Sequence, residues 1–198
     1  MKNTLKIVFV LTAICVIAGG LPAVIYKITK APIEKALLAE KMQAMKKVLP
    51  PYDNDPMLCT NVVVEAEKKW VFYVARKNGA FAGTAFEASS DQGYGGKITI
   101  LVGVASDNTI YGIEVLEQKE TPGLGAQITK PSFTDQFQHK NIVKTKWKVK
   151  KDGGDINAIT GATISPRAVL DALRAGLKVY IDNQKAITKT KCSGKSTL

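Results

Sequence analysis

Residues 7–26 form a run of 20 positions without a charged side chain, bracketed by Lys6 and Lys27. As a helix this run is about 30 Å long, the thickness of a bilayer's hydrocarbon core. Lipid offers the backbone no hydrogen-bonding partner, so such a segment must satisfy its own peptide groups and therefore be helical. A cleaved export signal has a shorter apolar core and a small-x-small cleavage site. Ala18-Gly19-Gly20 matches that poorly, because apolar residues continue to Ile25. A buried core helix of this length beside a terminus is uncommon. The expectation is a retained single-pass membrane anchor over residues 1–30, with Pro22 tolerated near one end. Lys2 and Lys6 on one side balance Lys27 and Lys30 on the other, so flanking charge does not orient the span.

The rest of the 198-residue chain is long enough for one buried core. Pro32 reads as the start of a second helix, whose Ile33, Leu37, Leu38, Met42, Met45 and Leu49 make an apolar stripe that serves core packing or contact between subunits; Pro50-Pro51 ends it. Residues 61–75 and 80–87 read as strands joined by Lys77-Asn78-Gly79, a hairpin signal. Residues 98–105 and 109–116 form a second pair across Ser106-Asp107-Asn108, 133–137 a short helix and 143–149 a further strand. Val169, Leu170, Leu173, Leu177 and Tyr180 recur at helical spacing, with Ser165 expected as N-cap and Pro166 at the first helical position. The fold class expected is α+β: one transmembrane helix, then a single domain over 31–187 with antiparallel hairpins and flanking helices, then a basic tail over 188–198.

The net charge of +11 suits anionic lipid head groups, an acidic partner or a solvated basic face. It does not point to nucleic acid, because zinc-finger spacing, helix-turn-helix patterning and an aromatic ladder are all missing. A single histidine, His139, in the polar stretch Gln136-Phe137-Gln138-His139-Lys140, argues against a histidine-rich metal site and reads as a surface residue. Cys15 lies in the apolar span. Cys59 and Cys192 show no metal-ligand spacing, and the sequence leaves their pairing open.

Three stretches remain. Gln92-Gly93-Tyr94-Gly95-Gly96-Lys97 precedes one strand, and Glu117-Gln118-Lys119-Glu120-Thr121-Pro122-Gly123-Leu124-Gly125 follows another. Glycines at strand ends let backbone approach a ligand closely, although either loop alone is equally a turn. The third is Thr160-Gly161-Ala162-Thr163-Ile164-Ser165-Pro166, where a glycine-rich turn gives way to the last helix. It presents a hydroxyl at a helix N-terminus, where free N–H groups and the positive dipole end favour a phosphate.

Occurring in this order, Gly-Tyr-Gly-Gly, Glu-Thr-Pro-Gly-Leu-Gly and Thr-Gly-Ala-Thr resemble the G subunits of Rnf complexes, membrane-bound ion-translocating ferredoxin:NAD oxidoreductases. They are also similar to the C subunits of sodium-pumping NADH:quinone reductases, which stand as the alternative. The resemblance implies covalent FMN, phosphoester-linked to Thr163 by a dedicated flavin transferase. Thr160, Gly161, Ala162 and Ser165 would shape the attachment loop, and Glu120, Thr121, Gly123, Leu124, Gly95 and Gly96 would line the flavin pocket. It further implies an electron-carrying subunit that is not catalytic alone, partner subunits in the membrane, and a domain on the extracytoplasmic side. One departure stands out: family members carry an aspartate three residues before the first hydroxyl of the signature, where this chain has Asn157, with Asp155 two residues earlier. An anchored binding module without a redox cofactor is the competing class, supported by the basic charge alone.

Overall fold

The computed structural model describes residues 2–65, 67–190 and 192; the rest of the expected tail lies outside the described residues. The chain divides into two compact units, Met1–Met42 and Gln43–Leu198.

The first unit is the greater part of α1 (Lys2–Val48), a continuous helix of 47 residues that runs through both Pro22 and Pro32. Its apolar N-terminal part is long enough to cross a membrane. The separate helix expected from Pro32 is therefore a continuation of the first. A proline deletes one i→i−4 bond, but helical turns on both sides propagate cooperatively and carry the chain across the gap. The apolar stripe divides: Ile33, Leu37, Leu38 and Met42 are exposed, whereas Met45 and Leu49 are buried. The helix stops ahead of Pro50-Pro51, as expected.

The second unit is an antiparallel sheet of five strands in the order β1-β2-β3-β4-β5: β1 (Thr60–Glu65), β2 (Lys68–Lys77), β3 (Ala80–Gly93), β4 (Gly96–Ala105) and β5 (Ile110–Glu117). The long strand expected over 61–75 is two strands, separated by a turn in which Glu67 takes φ of 64°. At the β2–β3 hairpin Asn78 (φ 51°) and Gly79 (φ 78°) are both left-handed, the pattern of a type I′ turn. The β4–β5 hairpin turns across Ser106-Asp107-Asn108 as expected.

Side chains alternate across this sheet with period two. Phe72, Val74, Phe86, Ile100, Val102 and Val104 face α3 (Ile164–Thr188), whose Val169, Leu173, Leu177 and Tyr180 complete the main core. Tyr73, Ala75, Ala85 and Leu101 face the other way and are covered by Ala44, Met45, Val48 and Leu49. Gly103 makes that second layer possible, because a Cβ there would stand 1.6 Å from the Val48 carbonyl oxygen. Helix, sheet and helix end thus form three layers of an α+β domain.

Residues between β5 and α3 are mostly irregular. A 3₁₀ turn (Gly125–Thr129) leads into the four-residue α2 (Pro131–Thr134) and a second 3₁₀ turn (Asp135–Phe137), which realises the short helix expected there. The strand expected over 143–149 is absent. Its alternation is real, with Trp147 and Val149 buried between exposed Lys146, Lys148 and Lys150, yet its peptide groups bond to loop partners instead. Asn141 Oδ1 accepts from the Val143 and Lys144 N–H groups, and Asp155 Oδ2 accepts from the Lys146 N–H. At the far end of α3, the Arg76 guanidinium donates to the Thr188 and Thr190 carbonyls at 3.0 and 2.7 Å, satisfying acceptors that a helix terminus leaves open. A disulfide joins Cys59 to Cys192 across 133 residues.

Candidate functional site

The β3–β4 hairpin tip, the loop after β5 and the start of α3 converge on one cavity of about 510 Å³. It is lined by Thr163, Gly161, Ala162 and Ser165 from the α3 side, Glu120, Thr121, Leu124 and Gly125 from the loop, and Tyr94 and Ile164 at the edge.

Thr163 is the N-cap residue of α3, and its side chain makes no capping bond. Ser165, expected as N-cap, is instead the second helical residue and is buried; Pro166 is the third rather than the first. The shift by two residues has a local cause. Ala162 N–H donates to the Ile159 carbonyl at 3.1 Å, closing a turn in which Gly161 takes φ of 78°, a conformation glycine adopts without strain. The helix therefore begins immediately after that turn. Thr163 is left with a hydroxyl beside a helix terminus whose first N–H groups have no intrahelical acceptor.

Glu120 organises the opposite wall. It is only 5% exposed. One carboxylate oxygen accepts the Ser165 hydroxyl at 2.5 Å, and the other accepts the Gly95 N–H at 2.9 Å. The glycines are small because backbone and this carboxylate press against them. A Cβ at Gly95 would lie 1.9 Å from the Lys119 carbonyl oxygen, and one at Gly125 would lie 2.5 Å from both Glu120 Oε2 and Ser165 Oγ. Gly123 differs: its φ is 77° with open space around it, so it shapes the turn without lining the cavity.

The remaining expected residues sit close by in different roles. Gly95 bonds Glu120 through its backbone, and Gly96 (φ 105°) turns the hairpin. Thr160 lines a neighbouring cavity with Gln127, Phe133, Gln136 and Asn157. Asn157 is fixed by its backbone, its N–H donating to Gln136 Oε1 at 2.7 Å. The Asp155 carboxylate is engaged at Lys146, 2.7 Å from its N–H, and does not line the Thr160 cavity. Position 157 therefore stands beside the signature and position 155 does not. His139 is exposed.

The expected set left out Tyr94 and Ile164, whereas Gly125 lines the cavity with Glu120, Thr121 and Leu124 of the same segment. Tyr94, Leu124 and Ile164 are 74%, 45% and 46% exposed, an apolar rim around a polar floor. An aromatic in a hairpin turn and an isoleucine ahead of a buried serine were the available signals. On the outer side of α3, Arg167 makes a paired contact with Asp152, Nε to Oδ2 at 2.8 Å and a terminal nitrogen to Oδ1 at 2.7 Å. That bond is the main reason the Asp152 carboxyl is held below, and the Arg167 guanidinium above, its ordinary value.

FMN suits this arrangement. The uncapped hydroxyl at a helix N-terminus fits a phosphate, the volume lies in the range of small-molecule sites, and the apolar rim matches a planar ring. The group would be held by Thr163 at the phosphate and by the walls at Tyr94, Leu124 and Ile164.

The FMN-binding domain family matches residues 93–178, a segment that contains all three motifs. The G subunit of the ion-translocating oxidoreductase complex of Vibrio atlanticus is 35% identical over 94% of this chain and 95% of its own length. The protein of the same name from Salmonella typhi is 40% identical over 80% and 82%. Among solved structures, the C subunit of the Na(+)-translocating NADH-quinone reductase from Parabacteroides distasonis superposes with a TM-score of 0.54 at 25% identity, covering 77% of this chain and 84% of that one. NqrC of Shewanella oneidensis shares the fold at 20% identity and a TM-score of 0.52, over 72% and 74%. With its three loops gathered around Thr163 and relatives aligned along nearly its whole length, this chain belongs to the family of G subunits of ion-translocating oxidoreductase complexes.

Proposed function

We infer that this chain is the FMN-carrying, electron-transferring subunit of a membrane-bound ion-translocating oxidoreductase of the ferredoxin:NAD type, with the cofactor's phosphate joined to the Thr163 hydroxyl. The observation that carries the reading is the placement of that hydroxyl: uncapped, at the head of a 25-residue helix, on a residue that lines the cavity. FMN supplies stepwise electron transfer between one- and two-electron partners. The chain's own residues bind and position it. The α3 terminus stabilises the phosphate, the apolar rim shields the ring, and Glu120 fixes the hairpin and loop that form the wall. Relatives at 35% and 40% identity named as G subunits favour this complex over the sodium-pumping quinone reductase, and the built cavity favours a cofactor carrier over a plain binding module.

The chain requires a flavin transferase for maturation and partner subunits in the bilayer, and its domain lies on the extracytoplasmic side. The Cys59–Cys192 disulfide supports that side, since such bonds persist in oxidising compartments. A covalent link also retains the cofactor where free FMN would be lost by diffusion. Mass spectrometry of the tryptic peptide 152–167 from full-length chain produced with the transferase tests the attachment. Flavin mass on Thr163, lost in Thr163→Ala with the domain still folded, is the expected result; flavin on Thr160 or Ser165 overturns it. A phosphatase fused after Leu198 is expected to be active, and an inactive phosphatase with a fluorescent cytoplasmic-type reporter would reverse the topology.

A further inference from the structure

Glu120 is more than a structural tie. Among the described residues no lysine, arginine or histidine pairs with it, and its two hydrogen bonds come from a hydroxyl and a peptide N–H. Neutral donors compensate a buried carboxylate only in part. The first turn of α3 contains no acidic residue, so Glu120, reaching it through Ser165, brings negative charge to the positive helix end. The same carboxylate lines the cavity that holds Thr163. Any group bound there that gains negative charge on reduction does so against a fixed like charge in a poorly screened site.

Resting on the FMN reading above, we propose that Glu120 sets the reduction potential of the cofactor, holding it lower than the same cavity would without the carboxylate. Gln is the discriminating replacement, because it keeps the shape and an acceptor oxygen while removing the charge. The experiment is a dithionite redox titration of full-length, flavinylated protein in detergent, comparing wild type with Glu120→Gln, Glu120→Asp and Ser165→Ala. Glu120→Gln is expected to shift the oxidised-to-reduced equilibrium toward the reduced form by about tenfold or more, about 30 mV for a two-electron couple. Glu120→Asp retains the charge and Ser165→Ala retains the carboxylate, so both should stay within about twofold of wild type, even where their melting temperatures fall.

An unchanged equilibrium in Glu120→Gln overturns the proposal. So does a shift in Ser165→Ala as large as that in Glu120→Gln, because loosening of the wall would then explain both. If Glu120→Gln takes up no flavin, Glu120→Asp decides: a potential held at the wild-type value supports the role of charge, and a shift of about tenfold removes it. Wild-type protein without flavin on Thr163 overturns the functional reading and this inference with it, whereas flavin present with an unmoved potential overturns only the inference.

Discussion

Two carboxylates reach the first turn of α3 from opposite sides, and they do so in contrasting surroundings. Glu120 is buried and bonds Ser165 and Gly95, tying three segments together. Asp152 sits at the surface and bonds Arg167. The exposed pair is a true ion pair with two hydrogen bonds, yet solvent and salt screen it. The buried contact has no cation among the described residues, but removing it leaves the buried Ser165 hydroxyl without its acceptor, and an orphaned buried donor is expensive. Position, more than formal charge pairing, decides which of the two the fold depends on.

The contrast is sharpened by changes on the Glu120 side first. Gly95→Ala drives a Cβ into the Lys119 carbonyl, where backbone must yield. We expect a loss of about 3 kcal/mol, a fall in melting temperature of roughly 6–12 °C for a domain of this size. Wild-type stability in that variant would mean the hairpin tip does not rest on the loop. Glu120→Ala comes next, with a loss of about 2 kcal/mol in the flavin-free chain, or roughly 4–8 °C by calorimetry. Asp152→Asn should be the mildest, with a small fall in melting temperature at neutral pH. Its signature is the pH dependence. Because the folded-state value of Asp152 is lowered by Arg167, the pair contributes above the ordinary carboxylate value near about 4 and is lost as pH falls through the lower folded one. The small gap between wild type and Asp152→Asn should therefore close in acid. A gap that widened in acid would break the comparison.

What was legible in the sequence followed from local chemistry. Asn78-Gly79 announced its hairpin because few residues tolerate two successive left-handed positions, and the α3 stripe announced a helix packed on one face. The three motifs gave the site's neighbourhood, and the cavity gathers Thr163, Gly161, Ala162, Ser165, Glu120, Thr121 and Leu124. The failures were non-local. Trp147 and Val149 alternate with lysines as a strand does, but Val149 makes a single isolated bridge to Ile156 and no ladder extends from it. Pro32 looked like a helix start because the cooperativity of the flanking turns is not visible at one residue. Glu120 carried no sign of burial; a glutamate beside Pro122 and Gly123 ordinarily faces water, and only the arrival of Ser165 from 45 positions later encloses it.

The bond between Cys59 and Cys192 has a consequence for how the protein is made. One sulfur precedes β1 and the other follows α3, so the ring they close contains every strand and the helix that bears Thr163. A loop of this length removes about 5 kcal/mol of conformational freedom from the unfolded chain in the chain-entropy account. No nascent polypeptide that has not reached Cys192 can claim that stabilisation. Synthesis through Cys192 and exposure to an oxidant thus act as a checkpoint, after which the domain is locked and a chain retained in a reducing compartment stays measurably easier to unfold.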